Sequence, residues 1–195
     1  MSPVPRRAEI VLPARSRAAA FVLQGVPIVG FAFLTWAGAK ISLPLPFTPV
    51  PGTLQTLAVL LAGAFLGARG GAASQAFYLG LGIAGLPVFA LPGGGPGYFL
   101  GPTGGYLLGF VAAAGVTGAV LSRTGRMGVV GAFLAFLSGS AALYVCGLFW
   151  LTIYMGGDLG AAVRGGLLPF VLFDLAKVVI ATGLQAGRSR LSPRS

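Results

Sequence analysis

The sequence holds no histidine, a single cysteine (Cys146) and only three acidic residues, Glu9, Asp158 and Asp174, among 195 positions. Each shortage removes a class of chemistry. Zinc centres, Cys–His or Ser–His–Asp nucleophile systems and disulfides have no parts to be built from. Three carboxylates so far apart in sequence make a paired-carboxylate metal site equally hard to assemble. The inventory argues against an enzyme, and neither a cofactor nor a metal is expected. Charged residues of both signs amount to 8% of the chain, where soluble domains carry about 25%. Such a chain cannot cover a water-facing surface, which excludes a soluble enzyme and a disordered scaffold alike. What is abundant is apolar surface, at 56% hydrophobic residues, so the solvent is a bilayer. At roughly 20 residues per spanning helix plus loops, the length allows about six or seven spans. That predicts one small all-α membrane domain.

Apolar stretches run from Ala18 to Ala39, Leu54 to Leu66, Ala72 to Val88, Gly104 to Leu121, Val129 to Tyr154 and Leu167 to Leu184, which predicts six helices. The second is short for a span. The thirteen basic residues then sort by side. Arg6, Arg7, Arg15, Arg17, Arg69, Arg123, Arg126, Arg188, Arg190 and Arg194 fall on one side of a six-span layout. Lys40 and Arg164 fall on the other, and Lys177 lies within the last helix. This asymmetry fits the positive-inside rule with both termini cytoplasmic, as an even number of spans requires. The expected organisation is a basic cytoplasmic tail over 1–17, a membrane domain over 18–187 and a basic tail over 188–195. The arginine clusters are topology signals and contacts for anionic lipid, not a nucleic-acid surface. The apolar run after Arg17 is too long, and lacks a convincing A-x-A site, for a cleavable signal peptide.

Cytoplasmic connections are brief and basic, whereas two outward gaps, Leu43 to Thr53 and Pro87 to Thr103, are long and rich in proline and glycine. Irregular backbone near a membrane is tolerated where it is buried in protein or lines a wet cavity, and connections beyond about 12 to 15 residues are usually functional. Two such loops on one face predict a lidded, outward-facing pocket. The glycines from Gly93 to Gly97 are not a phosphate loop, because no Gly-Lys-Ser/Thr follows and no strand precedes. Gly63 with Gly67, Gly105 with Gly109 and Gly183 with Gly187 are spaced for close helix packing.

Asp174 and Lys177 are the most informative pair. Three residues apart, they share one face of the last helix, for which Pro169 is placed as a first-turn residue. Charges at that depth cost roughly 2.5 to 3.5 kcal/mol each on insertion scales and usually mark a pathway or a polar ligand. Asp174 offers acceptors for paired N–H donors, and Lys177 a cation for a carbonyl or carboxylate. The plain counter-reading is a salt bridge that only holds helices together. Gln55, Tyr106 and Tyr154 are placed to complete a pocket. Phe47, Phe89, Tyr98 and Phe99 could cover the apolar part of a ligand, while Trp36 and Trp150 read as interfacial belt residues.

These segments resemble the BioY family, the biotin-binding S components of energy-coupling factor (ECF) transporters. The matching residues are Ala39-Lys-Ile41, Pro44-Leu-Pro-Phe-Thr-Pro-Val-Pro-Gly-Thr-Leu-Gln-Thr-Leu57, Gly85-Leu-Pro-Val-Phe-Ala90, Gly93-Gly-Gly-Pro96, Gly101-Pro-Thr-Gly-Gly-Tyr-Leu-Leu-Gly-Phe110, Pro169-Phe170 and Asp174-x-x-Lys177. The resemblance implies a six-helix protein of the bacterial cytoplasmic membrane that captures biotin from outside. It also implies partners: a transmembrane T component (BioN-like) and ATP-binding cassette subunits (BioM-like) that supply the energy. A homo-oligomer is a further association left open. The resemblance assigns Asp174 and Lys177 to the biotin site, with either end of biotin toward either residue. Two positions depart from the family: Ala32-Phe-Leu-Thr-Trp36 stands where S components tend to carry an Ala-x-x-x-Ala docking surface, and Phe173 precedes Asp174 where small residues are common. Two other functions compete with biotin capture, namely uptake of a different vitamin on the same fold and a non-transporting membrane assembly factor.

Overall fold

The computed structural model describes residues 17–191. In chain order it comprises α1 (Arg17–Lys40), β1 (Ser42–Leu43), β2 (Gly52–Thr53), α2 (Gln55–Ile83), α3 (Gly104–Thr124), α4 (Gly128–Tyr154), α5 (Leu159–Gly166) and α6 (Val171–Leu191). The two short strands pair antiparallel, with Ser42 opposite Thr53 and Leu43 opposite Gly52. A 3-10 turn, Pro96–Leu100, lies in the connection from α2 to α3.

Helix α2 is two helical rods joined at Gly67. Gly67 sits at φ 73° and ψ −179°, outside helical geometry, in a region essentially reserved for glycine. The legs on either side fold together. A Cβ built on Gly71 would lie 2.7 Å from the Cα of Gly63, and the Gln55 amide bonds the Tyr78 hydroxyl at 2.7 Å. In a straight helix those pairs would be about 12 Å and 35 Å apart. The two expected helices before and after Gly67 are therefore present as an antiparallel hairpin, with a single glycine as its connection. The second leg ends at Ile83, not at Val88, because Gly85 takes φ 95° and turns the chain. With α1, α3, α4 and α6, these legs make the six-rod layout of a membrane protein.

Small residues set the contacts. A Cβ at Gly63 would overlap the Ala114 carbonyl, one at Gly118 the backbone of Gly67 and Ala68, and one at Gly105 would reach Trp150. Close backbone approach of this kind replaces the hydrophobic drive that a bilayer lacks. The pairs Gly63 with Gly67 and Gly105 with Gly109 thus serve packing or turning, whereas Gly183 meets no atom within 4 Å and Gly187 likewise. Helix α1 is fastened to the second leg of α2 by polar bonds, Ser74 to the Ile28 carbonyl at 2.8 Å and Thr35 to Gln75 at 3.2 Å. Outward faces are as apolar as inward ones, with Leu172 78% and Phe149 70% exposed, as lipid contact demands.

The final stretch differs from expectation. Leu167–Phe170 forms a turn after the unforeseen short helix α5, so Pro169 lies outside α6, and Asp174 falls in the first turn of that helix. Helix α6 runs on to Leu191, through the point where a separate tail was expected at 188. Arg6, Arg7, Arg15 and Arg194 lie outside the described residues. Among the others, Arg69 follows the Gly67 turn, Arg123 ends α3, and Arg188 rests 4.5 Å from the Phe65 ring centre. These gather at one end of the bundle. Lys40 ends α1 and Arg164 ends α5 at the other, beside the long connections.

Candidate functional site

At the end away from the arginines, the β1–β2 hairpin, the α2–α3 connection and the α5–α6 turn close over a cavity of about 370 Å³, within the range of about 300–1,000 Å³ usual for small-molecule sites. Its walls are largely apolar, from Val50, Leu107, Phe110, Leu143 and Phe170. Set into one side is a polar cluster. Lys177 Nζ donates to Asp174 Oδ1 at 2.5 Å, to the Thr53 carbonyl at 2.7 Å and to Thr56 Oγ1 at 2.8 Å. Thr56 in turn donates to Asp174 Oδ1 at 3.2 Å, and the Tyr144 hydroxyl donates to Asp174 Oδ2. Asp174 is 9% exposed. Its place in the first turn of α6 puts a negative charge where the helix dipole favours one.

Tyrosines hold the cavity's shape. The ring of Tyr106 fits over Gly147 and its hydroxyl donates to the Gly166 carbonyl at 2.8 Å. Tyr98, in the 3-10 turn, stacks on Phe89 with ring centres 4.4 Å apart and accepts from the Leu91 amide at 3.1 Å. Burial raises the Tyr98 hydroxyl above the usual phenol range, against the lowering effect of its hydrogen bonds to Leu91 and Thr103. Gln55 hands its amide to Tyr78, which donates to the Val88 carbonyl at 2.9 Å. The loops are pinned elsewhere too, by Lys40 to the Pro87 carbonyl at 2.9 Å, Thr48 to the Gly165 carbonyl at 2.5 Å and the Trp150 indole to the Gly101 carbonyl at 2.9 Å. Among the described residues, no cluster of three or more Cys, Asp or Glu could hold a metal.

A model of the BioY family matches residues 14–194. The chain belongs to the BioY family. It is 40% identical to the biotin transporter BioY of Thermotoga maritima over 151 residues, 77% of this chain and 86% of that one. Against the biotin transporter BioY of Rhodobacter capsulatus it is 40% identical over 176 residues, 84% of this chain and 91% of the relative. The probable biotin transporter BioY of Lysinibacillus sphaericus is 43% identical over 174 residues, covering 85% and 86%. The crystal structure of an S-component for biotin from an ECF-type ABC transporter shares the fold, with a TM-score of 0.80 at 24% identity over 92% of this chain and 96% of that one.

Of the residues singled out in this BioY sequence, the structure brings Asp174, Lys177, Gln55, Tyr106 and Tyr98 to the cavity wall. Four others go elsewhere, among them Phe99, which packs edge-on against Phe89 with ring centres 5.6 Å apart. Phe89 is 1% exposed and lies behind Tyr98, in the space that Gly82 leaves by having no side chain. Tyr154 is 51% exposed and off the cavity, because ten residues beyond Tyr144 it is rotated by about 80° around α4. Phe47 is 68% exposed and does not line the cavity. Trp150, expected as a belt residue, ties α4 to Gly101 of the connection just before α3. Sequence reasoning missed Tyr144, Thr53 and Thr56. A phenol in the middle of the apolar run of α4 was the available signal for Tyr144, and proximity to Gln55 was the signal for the two threonines.

Proposed function

We propose that the chain is the substrate-capture subunit of an ECF-type transporter, taking up biotin from outside the cytoplasmic membrane through the cavity that Asp174 and Lys177 line. Membership of the BioY family and relatives named as biotin transporters support the substrate and the transport role. The single observation that carries the site is an ion pair opening onto a largely apolar cavity of about 370 Å³. Biotin matches it chemically: ureido N–H groups suit the carboxylate, the ureido carbonyl or the valerate acid suits the ammonium, and the fused rings suit Val50, Leu107, Phe110 and Phe170. The basic end of the bundle faces the cytoplasm by the positive-inside rule, which turns the cavity outward. The chain is not an enzyme. Energy comes from partners, a T component and ABC-type ATPase subunits, and recovery of such chains with the tagged protein from its own membrane tests that association.

The site is tested by equilibrium binding of biotin to detergent-purified protein. Asp174→Asn and Lys177→Ala each remove most biotin binding while the protein still inserts; unaltered binding in both overturns the assignment. Competition by thiamine or riboflavin equal to that by unlabelled biotin would move the substrate to another vitamin on the same fold.

A further inference from the structure

The Gln55 amide lines the cavity, yet its two ends are not equivalent. Its Nε2 donates to the Tyr78 hydroxyl at 2.7 Å. Tyr78, fully buried, spends its one proton on the Val88 carbonyl at 2.9 Å. That hydroxyl can then only accept from Gln55. Gln55 Oε1 takes no hydrogen bond from any described residue, and it is not among the buried polar atoms shut away without a partner. The reverse orientation would require Tyr78 to donate to Gln55 and to abandon Val88, whose carbonyl has no other donor among the described residues and lies in a residue that is 8% exposed. An unpaired buried carbonyl costs more than one ordinary bond returns, so the amide is held one way round.

We propose that Tyr78 is a positioning residue that fixes the Gln55 amide with its carbonyl oxygen toward the cavity, where that oxygen accepts an N–H of the ligand. The inference rests on biotin as the ligand and adds a rule for its recognition. An N–H donor is required opposite Gln55, and a group that replaces that hydrogen is rejected. Tyr78 touches no ligand. It acts from the second leg of the α2 hairpin, across the Gly67 fold, on the first residue of the first leg. The same hydroxyl grips Val88 of the α2–α3 connection, so the loop over the cavity and the amide inside it share one anchor.

The experiment compares dissociation constants for biotin and for its two isomers methylated on one or the other ureido nitrogen, on purified protein. The proteins are wild type, Tyr78→Phe, Gln55→Leu and the double variant. Wild type discriminates against both isomers. Tyr78→Phe weakens biotin by about three- to tenfold, the worth of one ordinary hydrogen bond, and lowers discrimination against one isomer by a similar factor. Gln55→Leu does the same, and Tyr78→Phe adds nothing further in that background. An equal loss from Tyr78→Phe in both backgrounds marks a purely structural role and overturns the proposal, as does undiminished discrimination in Tyr78→Phe. Should Tyr78→Phe fail to fold, Gln55→Leu decides alone, since retained discrimination there refutes the acceptor role. Absence of saturable biotin binding in the wild type would sink the biotin reading itself, a failure distinct from these.

Discussion

Replacing Gly147 with alanine tests the packing that aims Tyr106 at the cavity. Gly147 is buried in α4 under the Tyr106 ring, and a methyl there would stand 2.6 Å from the ring Cζ, where ordinary contact is 3.4–4 Å. Helix α4 could move away only by giving up the close contacts that Gly105 and Gly109 of α3 make with Trp150, Cys146 and Leu143. The ring must therefore retreat by close to an ångström or more. Its hydroxyl cannot follow, since the Gly166 carbonyl that it bonds at 2.8 Å is fixed at the end of α5. Overpacking of a core costs about 1–3 kcal/mol. The broken hydrogen bond adds about 0.5–1.5 kcal/mol. Because Tyr106 forms cavity wall, much of this falls on ligand affinity, and at about 1.4 kcal/mol per factor of ten the expected loss is roughly tenfold or more. Binding of labelled biotin to purified protein reads the affinity, and thermal unfolding in detergent reads the stability. Gly147→Ala combined with Tyr106→Leu should be no less stable than Tyr106→Leu alone, because the clashing ring is gone. Wild-type affinity and wild-type melting temperature in Gly147→Ala would refute the packing described.

Gly67→Ala should destabilise the fold by about 1–3 kcal/mol through backbone strain alone, since nothing lies within 4 Å of the added methyl; Gly183→Ala, equally uncrowded but at ordinary φ in α6, should be neutral or stabilising by up to about 1 kcal/mol, and thermal unfolding of the two reads the contrast. Burial raises the Tyr98 hydroxyl, so above about pH 10 the unfolded chain releases this proton while the folded chain keeps it. Stability then falls as pH rises, and Tyr98→Phe should flatten that part of the profile relative to wild type. Asp174→Leu and Lys177→Leu singly strand a charge and should each lose about 3–5 kcal/mol, whereas the double Leu variant should match or exceed wild-type stability. All three should fail to bind biotin, and a double variant that still binds or supports uptake would make the pair structural.

The helical architecture was legible because a bilayer demands apolar runs whatever the tertiary contacts, and the runs starting at Leu54, Gly104 and Val129 begin within a residue of the observed helices. Breaks were less legible. A break between Leu66 and Ala72 was expected, but not that Gly67 alone makes the turn, since nothing in a sequence with 33 glycines marks it from its neighbours Gly70 and Gly71. Proline at 169 suggested a first turn, but Leu167 caps α5 and places that proline in the linking turn. In the site, Asp174 and Lys177 stood out because charge in an apolar helix has few uses. Tyr144 did not, since either phenol of the α4 run reads equally as an interface residue, and only the rotation of α4 decides that Tyr144 faces Asp174. Tyr154 failed for the same reason in reverse.

The donor count of the proposed site favours one part of a ligand over the other. A lysine ammonium has three donors, and all three are matched, to Asp174, Thr53 and Thr56. A carboxylate has about four acceptor positions, of which Lys177, Thr56 and Tyr144 take three. The cost of two charges in an apolar setting is thereby offset inside the protein. One acceptor position remains, and Gln55 contributes a second acceptor in the same cavity. An N–H edge can add to both without breaking any bond already made. A carbonyl or carboxylate reaching Lys177 must displace the Thr53 carbonyl or Thr56 and return an interaction of at least equal strength, which a charged carboxylate does more readily than a neutral carbonyl. Apolar residues of similar volume could have filled this space at little energetic disadvantage. Instead Asp174, Lys177, Thr53, Thr56 and Tyr144 all border the cavity, which is the arrangement expected when the pair is kept for a ligand with paired N–H donors.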